Sequence, residues 1–158
     1  PWAIQYASEG LWDDSDTMAC VAKIDGLPAL KYASHRLRAS EWLVRLAVQT
    51  NGLAIKFACS EARANYEIAL LAVRNNPYAR YPTALRWMPR GFRRDREIAL
   101  QAVRANGEAI KHFGSRIKSD REVGFVAVSH EMENIFCPWT LEYLHKRLRR
   151  DEGIVRAA

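Results

Sequence analysis

A chain of 158 residues, 49% hydrophobic and 27% charged, has enough apolar content to bury a core, which excludes wholesale disorder. Its longest uninterrupted apolar run, Ile68 to Val73, is far short of the ~18 residues that a membrane-spanning helix needs. The net charge of +6 is concentrated in one stretch: seven arginines from Arg74 to Arg96 face one acid, Asp95, while the other 17 basic and 17 acidic residues cancel.

In chain order, the first recognisable element is a short motif, Ala3-Ile4-Gln5-Tyr6-Ala7-Ser8. It returns as Ala29-Leu30-Lys31-Tyr32-Ala33-Ser34, as Ala54-Ile55-Lys56-Phe57-Ala58-Cys59 and as Ala109-Ile110-Lys111-His112-Phe113-Gly114. These copies predict a short second helix in each of several repeated units. The first helix of each unit opens on a cap residue: Ser15, Ser40, Asn65, Asp95, Asp120 and Asp151. Side-chain oxygens of these types accept a backbone N–H that has no partner at a helix start. Three residues beyond the caps stand Met18, Leu43, Ile68, Ile98, Val123 and Ile154, and seven beyond stand Ala22, Ala47, Ala72, Ala102, Ala127 and Ala158. An apolar residue and an alanine four positions apart share one helix face, and the small residue admits a neighbouring helix. Asn51-Gly52 and Asn106-Gly107 read as left-handed helix stops, with Asn76-Pro77 as a variant. A final turn carries Leu11, Leu37 or Ile117 before the next cap.

The caps are spaced by 25, 25, 30, 25 and 31 residues. The pattern predicts an all-α, solenoid-like array of short two-helix repeats of about 25 residues. It has a partial unit at 1–14, units starting at 15, 40, 65, 95 and 120, and a partial unit at 151–158. Helices this short are marginal alone, so stacked neighbours must share a core. Both ends fall inside a unit, which points to a window of a longer chain.

Three scattered cysteines, Cys20, Cys59 and Cys137, form no Cys-x-x-Cys pair and point to an intracellular, reducing compartment. His130-Glu131 begins like the zinc-protease pattern His-Glu-x-x-His, but Asn134 occupies the place of the second histidine. His35, His112, His130 and His145 show no metal-ligand spacing, and the glycines stand singly at helix ends rather than in a phosphate loop. The expectation is therefore a non-enzyme, with no catalytic, metal or cofactor residues.

The two long units carry insertions after their first helices. Within residues 74–96, Arg80, Tyr81, Arg86, Arg90, Phe92, Arg93 and Arg94 are candidate partner-binding residues. Arginine grips carboxylate or phosphate in a fork and stacks on aromatics, and insertions in repeat proteins tend to emerge on the binding face. Trp87 falls near the column of Tyr32 and Phe57 and reads as core. In the second insertion Ile135, Phe136 and Trp139 are a secondary candidate contact, and the basic run from His145 to Arg150 suits a helix C-terminus. Arg and Tyr are frequent at protein-interface hot spots, which favours other protein subunits with acidic surfaces as partners. The alternative is an RNA-binding helical repeat protein, in which arginines of 74–96 meet phosphates and aromatics stack bases. Six net charges are few for a dedicated nucleic-acid binder.

The unit Asp95-Arg96-Glu97-Ile98-Ala99-Leu100-Gln101-Ala102-Val103, continuing to Lys111, resembles the tandem module known as domain of unknown function 4116. So do Asp120-Arg121-Glu122-Val123 and the Tyr-Ala-Ser segments at Tyr6 and Tyr32, while residues 77–94 and 129–140 depart from it. The resemblance implies tandem helical repeats of a kind found in bacterial, algal and protist proteins, and it transfers no activity. The lack of a catalytic constellation, of a membrane span and of the array's own ends points to a non-catalytic protein–protein interaction scaffold or peripheral accessory subunit of a larger assembly. The range of the family implies an algal or protist photosynthetic or respiratory complex, in chloroplast or mitochondrion, with peripheral membrane-complex association rather than a span.

Overall fold

The computed structural model describes residues 2–76, 84–129 and 140–157, and every regular element among them is helical. A 3-10 turn over Trp2–Tyr6 and α1 (Glu9–Trp12) come first, followed by α2 (Ser15–Ile24), α3 (Gly26–Tyr32) and α4 (His35–Ala39). The next set is α5 (Glu41–Thr50), a 3-10 turn at Gly52–Phe57 and α6 (Ser60–Ala64). After α7 (Tyr66–Arg74) come 3-10 turns at Ala84–Trp87 and Arg90–Arg94. Then follow α8 (Arg96–Ala105), a 3-10 turn at Gly107–His112 and α9 (Ser115–Lys118). The last set is α10 (Arg121–Ser129), α11 (Thr140–Tyr143) and a 3-10 turn at Leu148–Arg150, before α12 (Glu152–Ala157). The repeating unit thus has three helical elements rather than two, because the expected final turn winds into a short helix of its own.

The long helices α2, α5, α7, α8, α10 and α12 each pack on the next, and the second elements pack in a row of their own from Trp2–Tyr6 to Ala84–Trp87. One apolar core runs through the stack. Met18, Leu43, Ile68, Ile98, Val123 and Ile154 are all fully buried. Each contributes roughly 1.5–3 kcal/mol of burial.

The caps hold these helices in register. Asn65, Asp95, Asp120 and Asp151 accept from Ile68, Ile98, Val123 and Ile154 N–H groups at 3.2, 2.9, 3.1 and 3.2 Å. Helix α2 differs from the sequence expectation: its cap is Asp14, which accepts from Thr17 N–H at 2.8 Å, and Ser15 is already helical. Asp25 N–H bonds the Val21 carbonyl where Asn51 bonds that of Ala47 and Asn106 that of Ala102. Val21 therefore stands in the alanine column of this unit, and Ala22 lies one place beyond it. Ser40 opens α5 without a side-chain bond.

The expected left-handed stops are absent: no described residue has a positive φ. Asn51 and Asn106 are extended, with φ of −152° and −163°, and cap the second elements by accepting from Leu53 N–H at 3.1 Å and Glu108 N–H at 2.7 Å. The glycines that follow serve packing between units. A Cβ on Gly26, Gly52 or Gly107 would lie 1.9, 1.9 or 2.1 Å from the carbonyl oxygen of Ala47, Ala72 or Ala127 in the next long helix. Glycine and alanine together let the two backbones touch, so the small-residue column is one half of a seam whose other half is this glycine.

Candidate interaction face

Of the seven residues expected to bind a partner, Arg80 and Tyr81 lie outside the described residues, as do Ile135, Phe136 and Trp139. The other five do not project from an insertion. Arg86 belongs to the turn Ala84–Trp87, and Arg90, Phe92, Arg93 and Arg94 to the turn Arg90–Arg94, which are the second and third elements of an ordinary unit. Arg86, Arg90 and Arg94 are exposed and Arg93 is half-buried. Phe92 is partly buried, packs against the core and meets Tyr66 edge-on at 6.0 Å between ring centroids. Trp87, expected in the core, is 38% exposed, with the Arg86 guanidinium 6.0 Å from its ring.

Two rows of side chains recur from unit to unit. Each second element ends on a ring: Tyr6, Tyr32, Phe57, Trp87, His112 and Tyr143. Tyr32, Phe57 and Tyr143 rest one side on the core and remain partly exposed. Lysines attend three of them, with Lys31 4.7 Å from the Tyr32 ring, Lys56 4.6 Å from Phe57 and Lys111 6.0 Å from Tyr143.

The second row comes from the third elements. Directly after Leu37, Ala62, Phe92, Ile117 and Leu148, which the third elements turn to the core, stand Arg38, Arg63, Arg93, Lys118 and Arg149, and Trp12 holds the same place in the first unit after the exposed Leu11. Their backbone tethers them to the following unit. The carbonyls of Trp12, Arg38, Arg93 and Lys118 accept from Ser34, Cys59, Gly114 and His145 N–H at 2.8, 3.1, 3.3 and 3.0 Å. Only Arg63 lacks this bond among the described junctions, because Pro89, which has no N–H, stands opposite. Between the rows lies an open groove, seen at two junctions: about 500 Å³ beside Trp12, Tyr32 and Arg38, and about 420 Å³ beside Arg93, Arg94 and His112.

The cations of this row differ from those elsewhere. At the starts of the long helices, Arg96 bonds Asp120 at 2.9 Å and also Glu122, and Arg121 bonds Asp151 at 2.8 Å. Tyr66 donates its hydroxyl to Asp95 at 3.2 Å in the same register, and Arg36 bonds Asp13 at 3.0 Å. Burial pushes the Asp120 carboxyl up, but the Arg96 guanidinium and the Val123 and Glu122 N–H groups outweigh it and hold it below the usual carboxylate range. By contrast, among the described residues Arg38, Arg63, Arg93, Lys118 and Arg149 make no ion pair, and the Nε of Arg38, Arg63 and Arg93 is buried with no hydrogen-bond partner.

Charge is therefore segregated by element rather than by stretch of chain. Residues 26–39, 52–64, 84–94, 107–118 and 140–150, which hold the second and third elements of the five later units, carry sixteen Lys and Arg against three acids. The long helices from α2 to α12 carry seven against six. His112 reports the resulting field: burial lowers its pKa first, and Lys111, Arg93 and Lys118 lower it further against the opposing pull of Glu108.

Sequence reasoning missed Arg38, Arg63, Lys118 and Arg149. The signal lay in the residue after Leu37, Ala62, Ile117 and Leu148, a column hidden while the third element was read as a mere turn. Among the described residues no three His, Cys, Asp or Glu gather as a metal site, and no helix is long and apolar enough to cross a membrane.

No curated protein and no solved structure matches the chain. The family described as Domain of unknown function (DUF4116) matches it three times in tandem, over residues 14–61, 43–93 and 95–131. The first two matches overlap by most of one stacking unit, which fits a family module built from more than one such unit. Three tandem matches across most of an all-helical repeat array place the chain in the DUF4116 family.

Proposed function

We propose that the chain is a non-catalytic interaction scaffold, a peripheral component of a larger assembly, which holds an acidic partner against the face made by its second and third elements. The observation that carries this reading is the row of cations that make no ion pair among the described residues. A structural arginine is answered by a carboxylate, as Arg96 and Arg121 are. Arg38, Arg63 and Arg93 are half-buried, unanswered and repeated at one place in successive units. Leaving a buried donor unsatisfied costs about 1–3 kcal/mol, and a partner rich in acceptors offsets that cost when it covers the guanidinium.

A stack of units suits such a role, because its continuous core fixes the spacing of repeated surface groups without needing a pocket. Native purification tests the reading. Companions held at fixed stoichiometry at low salt, and released as salt rises, are the expected result. Substituting Arg80, Arg86, Arg90 and Arg93 with Gln should weaken the association. A chain that purifies alone at low salt, or whose association ignores these substitutions, overturns it.

A further inference from the structure

The two rows repeat together. Each of five successive units supplies one ring and one cation: Tyr32 with Arg38, Phe57 with Arg63, Trp87 with Arg93, His112 with Lys118, and Tyr143 with Arg149. A ligand that uses all of them must itself repeat, offering a negative charge and a flat, stackable group in every monomer. An acidic polypeptide repeats the charge but not the ring. A duplex repeats both but keeps its bases stacked inside. A single nucleic-acid strand offers both: phosphates for guanidinium forks and unpaired bases for aromatic platforms. We propose that this face is a track for single-stranded nucleic acid, with phosphates along Arg38, Arg63, Arg93, Lys118 and Arg149 and bases against the rings of the second elements. The inference rests on the scaffold reading and names the partner's chemistry.

Three further observations support it. Stacked helices lie roughly 8–10 Å apart, and helical repeat arrays that read RNA take one base per repeat, so a ring and a cation in each unit suit a strand laid along the stack. The inter-unit bonds from the carbonyls of Arg38, Arg93 and Lys118 fix the spacing of the row through backbone rather than through flexible side chains. The groove between ring and cation is open at both junctions named above, at Tyr32 with Arg38 and at Arg93 with His112. The modest net charge, which argues against a nucleic-acid binder, is an average over two unlike surfaces. The acids stand mainly in the caps and the long helices, and the second and third elements of the five later units have sixteen basic residues to three acidic, with Glu9 and Asp13 added by the first unit.

The test is a fluorescence-anisotropy titration of the whole chain with labelled oligouridine of about 20 nucleotides, spanning several units. A double-stranded RNA of equal length and a polyglutamate peptide of equal charge are the comparisons. The expected order is oligouridine first, with duplex and polyglutamate at least about tenfold weaker. Replacing Arg38, Arg63 and Arg93 together by Gln should lower the log–log salt slope by about 2, near 0.7 for each phosphate left unneutralised on a single strand. Tyr32→Leu with Trp87→Leu should weaken oligouridine about tenfold or more while leaving polyglutamate binding unchanged, which also shows that the variant is folded.

Polyglutamate binding as tight as oligouridine, indifferent to the two leucines, overturns the nucleic-acid inference and leaves the scaffold reading standing. Tighter duplex binding overturns it as well. Binding of none of the three at about 50 mM salt, where phosphate contacts are strong, overturns both the track and the basic face.

Discussion

Two rows of arginine run along this array, and they are built differently. Arg96 and Arg121 sit at the starts of long helices, each against the cap aspartate of the next unit, and Arg36 is held by Asp13. Arg38, Arg63 and Arg93 sit in the third elements, half-buried, with a buried Nε without a partner and no ion pair among the described residues. The first row answers a need of the stack itself. Asp120 and Asp151 each accept N–H groups of their own helix as well as the guanidinium of the preceding unit. The second row answers nothing within the described chain, so its charges are directed outward. Arginine content alone does not separate a joint from a binding surface; what each guanidinium faces does.

The largest expected effect breaks both rows at once by forcing units apart. Gly52→Ala places a Cβ 1.9 Å from the Ala72 carbonyl oxygen, a backbone atom that a rotamer change does not move. It should cost about 3 kcal/mol or more in urea unfolding. Gly91→Ala, with nothing within 4 Å, should stay within about 0.5 kcal/mol. Equal losses in the two variants would show that the seam is looser than its geometry.

Next, the answered row is sharpened by separating cap from charge. Asp120→Ala removes the bonds to Glu122 and Val123 N–H as well as the pairing with Arg96, and should cost about 1 kcal/mol. Asp120→Asn keeps an oxygen for the cap and should recover most of that, since the exposed ion pair is worth ~1 kcal/mol at most. If Asn is as damaging as Ala, the pair rather than the cap holds the joint.

The unanswered row should behave in the opposite way. Arg93→Gln is expected to leave stability equal or to raise it by up to about 1–3 kcal/mol, since it removes a buried unpaired Nε, while weakening binding of whatever anion the face holds. A loss of stability near that of Asp120→Ala would make Arg93 a structural residue and erase the contrast between the rows.

The smallest effect is a dependence on pH. His112 has a folded pKa held below its ordinary 6.5 by burial and by Lys111, Arg93 and Lys118. The unfolded chain therefore binds this proton more readily than the folded one. Stability is unaffected well above 6.5 and declines as pH falls from there through the folded value. A bound polyanion should raise the folded pKa, so its affinity should rise over the same interval. Histidine NMR titration with and without oligouridine measures both, and a pKa unmoved by ligand would place the anion elsewhere.

Much of the fold was legible from residues that repeat. The cap column and the buried residues Leu43, Ile68, Ile98 and Val123 mark the long helices, because capping and one-sided burial are local demands that each unit satisfies alone. Two readings failed for lack of the neighbouring unit. The Asn-Gly pairs suggested a left-handed stop, yet Gly52 and Gly107 are needed because the carbonyls of Ala72 and Ala127 come from the next unit to touch them. Arg86, Arg90, Arg93 and Arg94 looked like an insertion because their unit is long. The extra residues fall ahead of Ala84, and these arginines stand in regular places.

The sequence by itself determined an all-helical array with its caps, its apolar columns and its membership in the DUF4116 family, since each rests on spacing within one unit. Only the tertiary structure decided which charges cancel. Net charge is a sum over residues, whereas pairing depends on which side chains of adjacent units meet. Stacking brings Asp120 and Asp151 to the arginines of the long helices, while among the described residues Arg38, Arg63, Arg93 and Lys118 make no ion pair and Arg149 donates only to the Leu144 carbonyl.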